Sequence, residues 1–177
     1  MSTPQKILVI DIEATCWEPR RPDLRNEIIE IGIAEVDIKT KKIERTESII
    51  VLPPTTEVSE FCTKLTTLTP EFVKKNGIEY HAAIDILLRK YRSDRQIFAS
   101  WGDYDRTSFE KNCEWNRAPY PFQRNMHLNV KTLFAAKFGY NGGQAKCGED
   151  LGITMEGTAH RGIDDAINIA KILVKLL

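Results

Sequence analysis

Three pieces of this sequence carry side chains that could do chemistry together. Asp11-Ile12-Glu13 places two carboxylates two positions apart at the end of an apolar run. Residues so spaced in a strand share one face and lie about 6 to 7 Å apart along the chain, so one divalent ion can sit between them. Ser100-Trp101-Gly102-Asp103-Tyr104-Asp105-Arg106 follows another apolar run and opens a helix. Both of its aspartates have ordinary roles open to them: Asp103 as a helix cap, Asp105 as a side chain tucked against the sheet by Tyr104 and Phe109. Near the end, His160-Arg161-Gly162-Ile163-Asp164-Asp165 sets a loop histidine five residues before an aspartate about one turn into a helix. An imidazole there can lean over a carboxylate that the helix holds, although Asp164 and Asp165 could also simply complement the helix dipole. His81 and His127 are expected to be exposed bystanders.

These side chains need a frame. Ile7 to Ile10 is short, apolar and rich in β-branched residues, as a strand covered on both faces should be, and Asp11 closes it. Glu27 to Ile38 and Ile43 to Leu52 read as two more strands joined by the polar turn Lys39-Thr40-Lys41-Lys42, completing an antiparallel meander. Pro53 and Pro54 end the sheet passage, and Thr55 to Leu68 fits a short helix and a loop. Thr69-Pro70 is a cap followed by proline at the first helical position. Ile84, Leu87, Leu88 and Tyr91 keep helical spacing. Gln96 to Ser100 reads as a strand, and Thr107 to Trp115, Leu128 to Phe138 and Gln144 to Leu151 as helices. Ile163, Ala166, Ile167, Ala170, Leu173 and Leu177 form one stripe of a final helix. Strands first, then helices alternating with strands, predict an α/β fold with a mixed sheet flanked by helices.

Composition bounds the rest. With 177 residues, 42% hydrophobic and 28% charged, one domain spanning 1–177 is expected. No apolar run is long enough to cross a bilayer, and the opening Met-Ser-Thr-Pro-Gln-Lys does not read as a signal peptide, so a soluble, cytoplasmic protein without a membrane partner is expected. Cys16, Cys62, Cys113 and Cys147 form no CxxC pair, which argues for reduced thiols and against a zinc site. Basic and acidic residues balance at 25 each, so no net positive field gathers polyanions, and any grip on nucleic acid must be local. Arg20, Arg21 and Arg25, and Arg89, Lys90, Arg92 and Arg95, read as solvated faces or as phosphate-facing patches.

Taken together and in order, the three pieces resemble the DEDDh 3′-to-5′ exonucleases, with their Asp-x-Glu, aromatic-Asp followed by Phe, and final His-x-x-x-x-Asp. Asp-Ile-Glu-Ala-Thr-Cys at 11–16, Glu-Ile-Ile-Glu-Ile-Gly at 27–32 and the stretch from Ser59 to Thr69 are similar to the enhanced-RNAi type of that family, which trims RNA 3′ ends. The resemblance runs from about Lys6 to Leu177 and implies a ribonuclease H-like sheet with helices on both faces. It implies Asp11 as the carboxylate shared by two magnesium ions, Glu13 and Asp165 completing one site, Asp105 rather than Asp103 as the second-motif aspartate, and His160 as the general base. It also implies nucleotide contacts from the Ala14 backbone and from Arg106, together with Glu13 and His160. Two ions about 3.5 to 4 Å apart could clamp the scissile phosphate, with manganese able to substitute. A histidine, with an ordinary pKa of about 6.5, is suited to take the proton of the attacking water. Single-stranded RNA 3′ ends are the implied substrate and 5′ mononucleotides the product. A DNA-directed proofreading or repair exonuclease, and a catalytically silent nucleic-acid-binding module, are the other readings. The chain departs from the family at Thr67, where glycine is common, at Leu68, where isoleucine is common, and at Arg106, which replaces a methionine. The early first strand, lacking the preceding nucleic-acid-binding domain of the histone-mRNA enzymes, predicts no specific stem-loop recognition.

Overall fold

The computed structural model describes residues 5–177. Met1 to Pro4, where no leader is expected, lie outside the described residues. Strands β1 (Lys6–Ala14), β2 (Ile28–Asp37) and β3 (Lys42–Ile50) form the antiparallel meander. Helices α1 (Glu60–Thr66), α2 (Pro70–Asn76) and α3 (Tyr80–Lys90) lead to β4 (Ile97–Ser100), which is parallel to β1. Then come α4 (Tyr104–Asn116), β5 (His127–Asn129), α5 (Val130–Phe138), α6 (Gln144–Asp150) and α7 (Gly162–Leu176). The five-stranded mixed sheet has the order β3-β2-β1-β4-β5, placing β1 at its centre.

Alternation along β1 divides the interior. Leu8, Ile10 and Ile12 join Ile31, Ile33, Ala83, Ile84, Leu87 and Phe109 in a core beneath α3 and α4. Ile7 and Val9 join Ala34, Val36, Val130, Phe134, Ile169 and Leu173 in a second core beneath α5 and α7. Both faces are therefore covered, which is why β1 and β2 read as nearly continuous apolar runs. Local signals set several boundaries: the Thr69 hydroxyl accepts the Phe72 N–H at 3.1 Å to start α2, and the Ser59 hydroxyl accepts the Cys62 N–H at 3.0 Å to start α1.

The structure corrects four expectations. Leu128 and Asn129 belong to β5, a strand too short to show periodicity, and α5 starts only at Val130, capped by the Asn129 carboxamide. α4 starts at Tyr104, three residues earlier than expected, so Asp105 lies in its first turn. On α7, Ile169, Ile172 and Leu176 are buried while Leu177 is exposed, because the helix is covered over a wider arc than the single stripe predicted. His127 is not an exposed bystander: its ring packs on Phe98 and its Nε2 lies 2.9 Å from the Ser100 hydroxyl. No helix among the described residues is long and apolar enough to cross a membrane.

Candidate active site

Because Ile7 and Val9 face α7, the two-residue period sends Asp11 and Glu13 out on the same side, just beyond the apolar run. On the neighbouring strand, Gly32 pairs with Asp11 and Glu30 with Glu13. Gly32 is what lets α7 start there: a Cβ at this position would lie 2.0 Å from the Gly162 carbonyl. The first turn of α7 thus rests directly on the strand pair and brings Asp165 to Glu13. The preceding loop doubles back through His160, whose φ of 60° lies in the left-handed region, and the His160 N–H donates to Asp165 Oδ2 at 2.8 Å. One ligand atom from each of Glu13, His160 and Asp165 falls within 4.8 Å of the others.

Asp105 arrives from the opposite side of the sheet end. The β1–β4 pairing stops at Val9 and Ala99, and the buried Asp105 carboxylate accepts the Ile12 N–H beyond it at 3.0 Å. That bond serves the backbone in place of a ladder partner. Asp103 behaves differently: it stays exposed, accepting from Arg106 and from Asn129 Nδ2 at 3.1 Å. Arg106 itself is engaged by Asp103 at 3.3 Å and Glu110 at 3.0 Å along α4, and its charged neighbours are these two rather than the carboxylate cluster. Ala14 is buried at a register shift, and its carbonyl accepts the Cys62 thiol at 3.6 Å.

Burial and mutual repulsion dominate the electrostatics. Burial pushes Asp11 well above the usual carboxylate range, and Asp105, Asp165, Glu13 and Glu30 push it further. Glu13 is pushed up to about 9, again by burial first and then by Asp165 and Glu30. Asp105 rises to about 6 through burial, opposed by the Ile12 N–H. Asp165 is raised by burial, against the His160 N–H. Such a set fits a divalent cation: hard oxygen donors with one imidazole nitrogen, converging, and costly to ionise without a counter-charge. Glu13 and Asp165 could hold one directly, with His160 close by and Asp11 and Asp105 adjoining.

Residues 8–173 match the protein family RNase_T, described as Exonuclease. The chain belongs to this exonuclease family. It is 31% identical to human 3′-5′ exoribonuclease 1 over 97% of its own length and 52% of the relative's, and 27% identical to the Drosophila melanogaster 3′-5′ exonuclease Snipper over 97% and 69%. The chain thus spans about half the length of the human relative. Its fold superposes with a TM-score of 0.89, at 26% identity, on the nuclease domain of 3′hExo, a DEDDh family member, bound to rAMP, covering 98% of this chain and 92% of that one. The ribonuclease H-like architecture expected from the sequence is this fold.

The structural roles of several residues around the site were not apparent from the motifs. Glu27 is buried, and its carboxylate accepts from the backbone and hydroxyls of Thr55 and Thr56 at 2.7 to 3.0 Å, pinning the loop after β3. Glu30 is buried too and binds Arg161 and Gly162. For Glu30 the available signal was a glutamate between two isoleucines, Ile29 and Ile31, which must be paired if the strand is covered. Tyr104, 57% exposed overall, directly precedes Asp105 at the start of α4, and its phenol pKa is raised by loss of solvent around the hydroxyl and by the Asp105 and Glu13 charges. Thr67, where the resemblance prefers glycine, has a φ of 64° and ends α1 in the left-handed conformation that glycine adopts without strain.

Proposed function

We propose that this chain is a metal-dependent 3′-to-5′ exonuclease acting on single-stranded RNA and releasing 5′ mononucleotides. The observation that carries the reading is the convergence of Glu13, His160 and Asp165, with Asp11 and Asp105 beside them, at the open end of the central strand. The relatives support it through what they are: a human 3′-5′ exoribonuclease, and a 3′-exonuclease structure described by its 3′-end specific recognition of a histone mRNA stem-loop. Magnesium, as two ions with manganese substituting, is the guest that the oxygen-rich donor set favours. Asp11, Glu13, Asp105 and Asp165 are the residues assigned to hold it.

Bound cations would supply positive charge for the scissile phosphate and its departing 3′ oxygen and make water more acidic. The protein's own part is proton transfer and positioning. His160, exposed and next to Glu13 and Asp165, takes the proton of the attacking water, and Asp165 fixes its backbone. Tyr104 offers an aromatic face at the rim on which the terminal base can stack, a contact that tolerates any base. Ala14 and Arg106 remain assigned to the terminal nucleotide, Arg106 by exchanging its ion pairs with Asp103 and Glu110 for substrate. The free thiols of Cys16, Cys62, Cys113 and Cys147 fit a reducing, cytoplasmic setting.

The test uses matched RNA and DNA oligonucleotides labelled at the 5′ end, incubated with magnesium or with chelator. The expected result is a ladder shortening from the 3′ end, faster on RNA, absent in chelator and lost in Asp11→Asn. Release that persists in chelator or in Asp11→Asn would overturn the metal-dependent reading, and faster loss of DNA would replace RNA as the substrate.

A further inference from the structure

Glu13 and Glu30 are directly opposed across β1 and β2, so their side chains emerge on the same face, yet they have different surroundings. Glu13 is left to the cation-binding group. Glu30, fully buried, is saturated: it accepts from Ser48 Oγ at 2.6 Å, from Arg161 Nε at 3.2 Å and Nη2 at 3.4 Å, and from the Gly162 N–H at 3.0 Å. Two of those partners, Arg161 and Gly162, are the residues immediately after His160. The contact is close on both sides, since a Cβ on Gly162 would meet the Asp11 carbonyl at 3.0 Å and the Glu30 carboxyl carbon at 3.4 Å. Arg161 also reaches the hydroxyl of Thr67, at the turn after α1, with Nη1 at 3.5 Å. The loop carrying the imidazole is therefore held from below by a buried carboxylate and from the side by the α1–α2 turn.

We propose that Glu30 and Arg161 are positioning residues that act on the reaction through His160, by holding its loop in the left-handed turn that aims the ring at Glu13 and Asp165. The inference rests on the exonuclease reading. His160 is exposed, and its φ of 60° is one that a residue with a Cβ adopts at a cost, so neighbouring structure has to maintain it. Its own N–H bond to Asp165 fixes one side of the turn; the Glu30 bonds to Arg161 and Gly162 fix the other. A proton acceptor displaced by an ångström loses about 100-fold in rate while substrate contacts elsewhere are kept.

The test is a double-mutant cycle measured with magnesium and single-stranded RNA: wild type, Arg161→Met, His160→Asn and the double variant, each assayed below its melting temperature. Arg161→Met removes the guanidinium and leaves Glu30 bonded to Ser48 and Gly162, so the fold has its best chance of surviving. We expect kcat to fall about 10- to 100-fold with KM within about twofold, and Arg161→Met to cost nothing further once His160 is asparagine. Unchanged kcat, or losses that multiply, would overturn the proposal. Hydrogen exchange in the metal-free protein supplies a readout independent of activity: amides 160–162 should exchange faster in Arg161→Met while β1 and β2 keep their protection, and unchanged exchange at 160–162 would also overturn it. Glu30→Gln paired with Arg161→Met, which leaves no unpaired buried charge, separates stability from catalysis: it should recover melting temperature without recovering kcat, and recovery of both would sink the positioning role. If wild type released no nucleotides, the exonuclease reading would fall and the exchange measurement would still judge the latch.

Discussion

Loading the site with a divalent cation should expel protons. Burial and neighbouring carboxylates hold Glu13 at about 9 and Asp11 well above the ordinary range, so at pH 7 the metal-free cluster keeps at least one proton. Cation binding requires these oxygens to be ionised, and each proton displaced raises the apparent association constant about tenfold per pH unit. One proton displaced throughout gives about a 100-fold gain between pH 6 and pH 8. The same shifts fix the sign for stability. Folded pKa values above the unfolded ones mean that the metal-free folded chain binds protons the unfolded chain has shed. This contribution is fully favourable below about pH 4 and is lost as pH rises through the folded values toward about 9. The melting temperature in chelator should therefore carry a downward component from pH 5 to pH 8 that magnesium or manganese reverses. Calorimetric titration of the cation in buffers of different ionisation enthalpy measures the protons directly. Heats independent of buffer, with affinity flat between pH 6 and pH 8, would refute the idea that crowding, rather than a fixed positive side chain, sets this site.

Two further perturbations follow from the same geometry. Thr67→Gly relieves a left-handed φ of 64° that costs a β-branched residue about 1 to 2 kcal/mol, partly offset by the freer unfolded chain; a net gain of about 0.5 kcal/mol in urea unfolding is expected, and a loss would mean that the Thr67–Arg161 contact outweighs the strain. Tyr104→Ala should raise KM for single-stranded RNA about tenfold or more with little change in kcat, because base stacking contributes about 1 to 3 kcal/mol, whereas Tyr104→Trp should keep KM low; equal KM values for the three proteins would remove Tyr104 from substrate binding.

The frame was legible because its signals are local. The apolar run ending at Asp11, the cap at Thr69 and the polar turn from Lys39 to Lys42 each depend on a few neighbouring residues, and the period along β1 already put Asp11 and Glu13 on one face. What escaped was set at long range. β5 exists because β4 offers an edge to pair with, and three residues at His127–Asn129 show no period of their own. The fate of Arg106 depended on Asp103 and Glu110 one turn away on either side, a pairing visible in the spacing but competing with a substrate that no spacing can weigh. Buried Glu27 and Glu30 depended on Thr55, Thr56, Ser48 and Arg161, up to 131 positions distant.

Glu13 and Glu30 show why residue type and local period stop short of function. They have the same side chain, sit opposite each other in one strand pair and face the same helix, so no argument from alternation separates them. The difference is that Arg161 and Gly162, together with Ser48, donate to Glu30 and saturate its oxygens. Glu13 is left with other carboxylates and an imidazole, a set that is electrostatically incomplete until a cation enters. Gly32 decides the outcome for both, because only its missing Cβ lets the start of α7 settle between them and deliver Arg161 to one glutamate and Asp165 to the other. The arrangement is thus set by a glycine that contributes no functional group of its own: a side chain there would push α7 off the strand pair, taking Arg161 and Gly162 away from Glu30 and Asp165 away from Glu13.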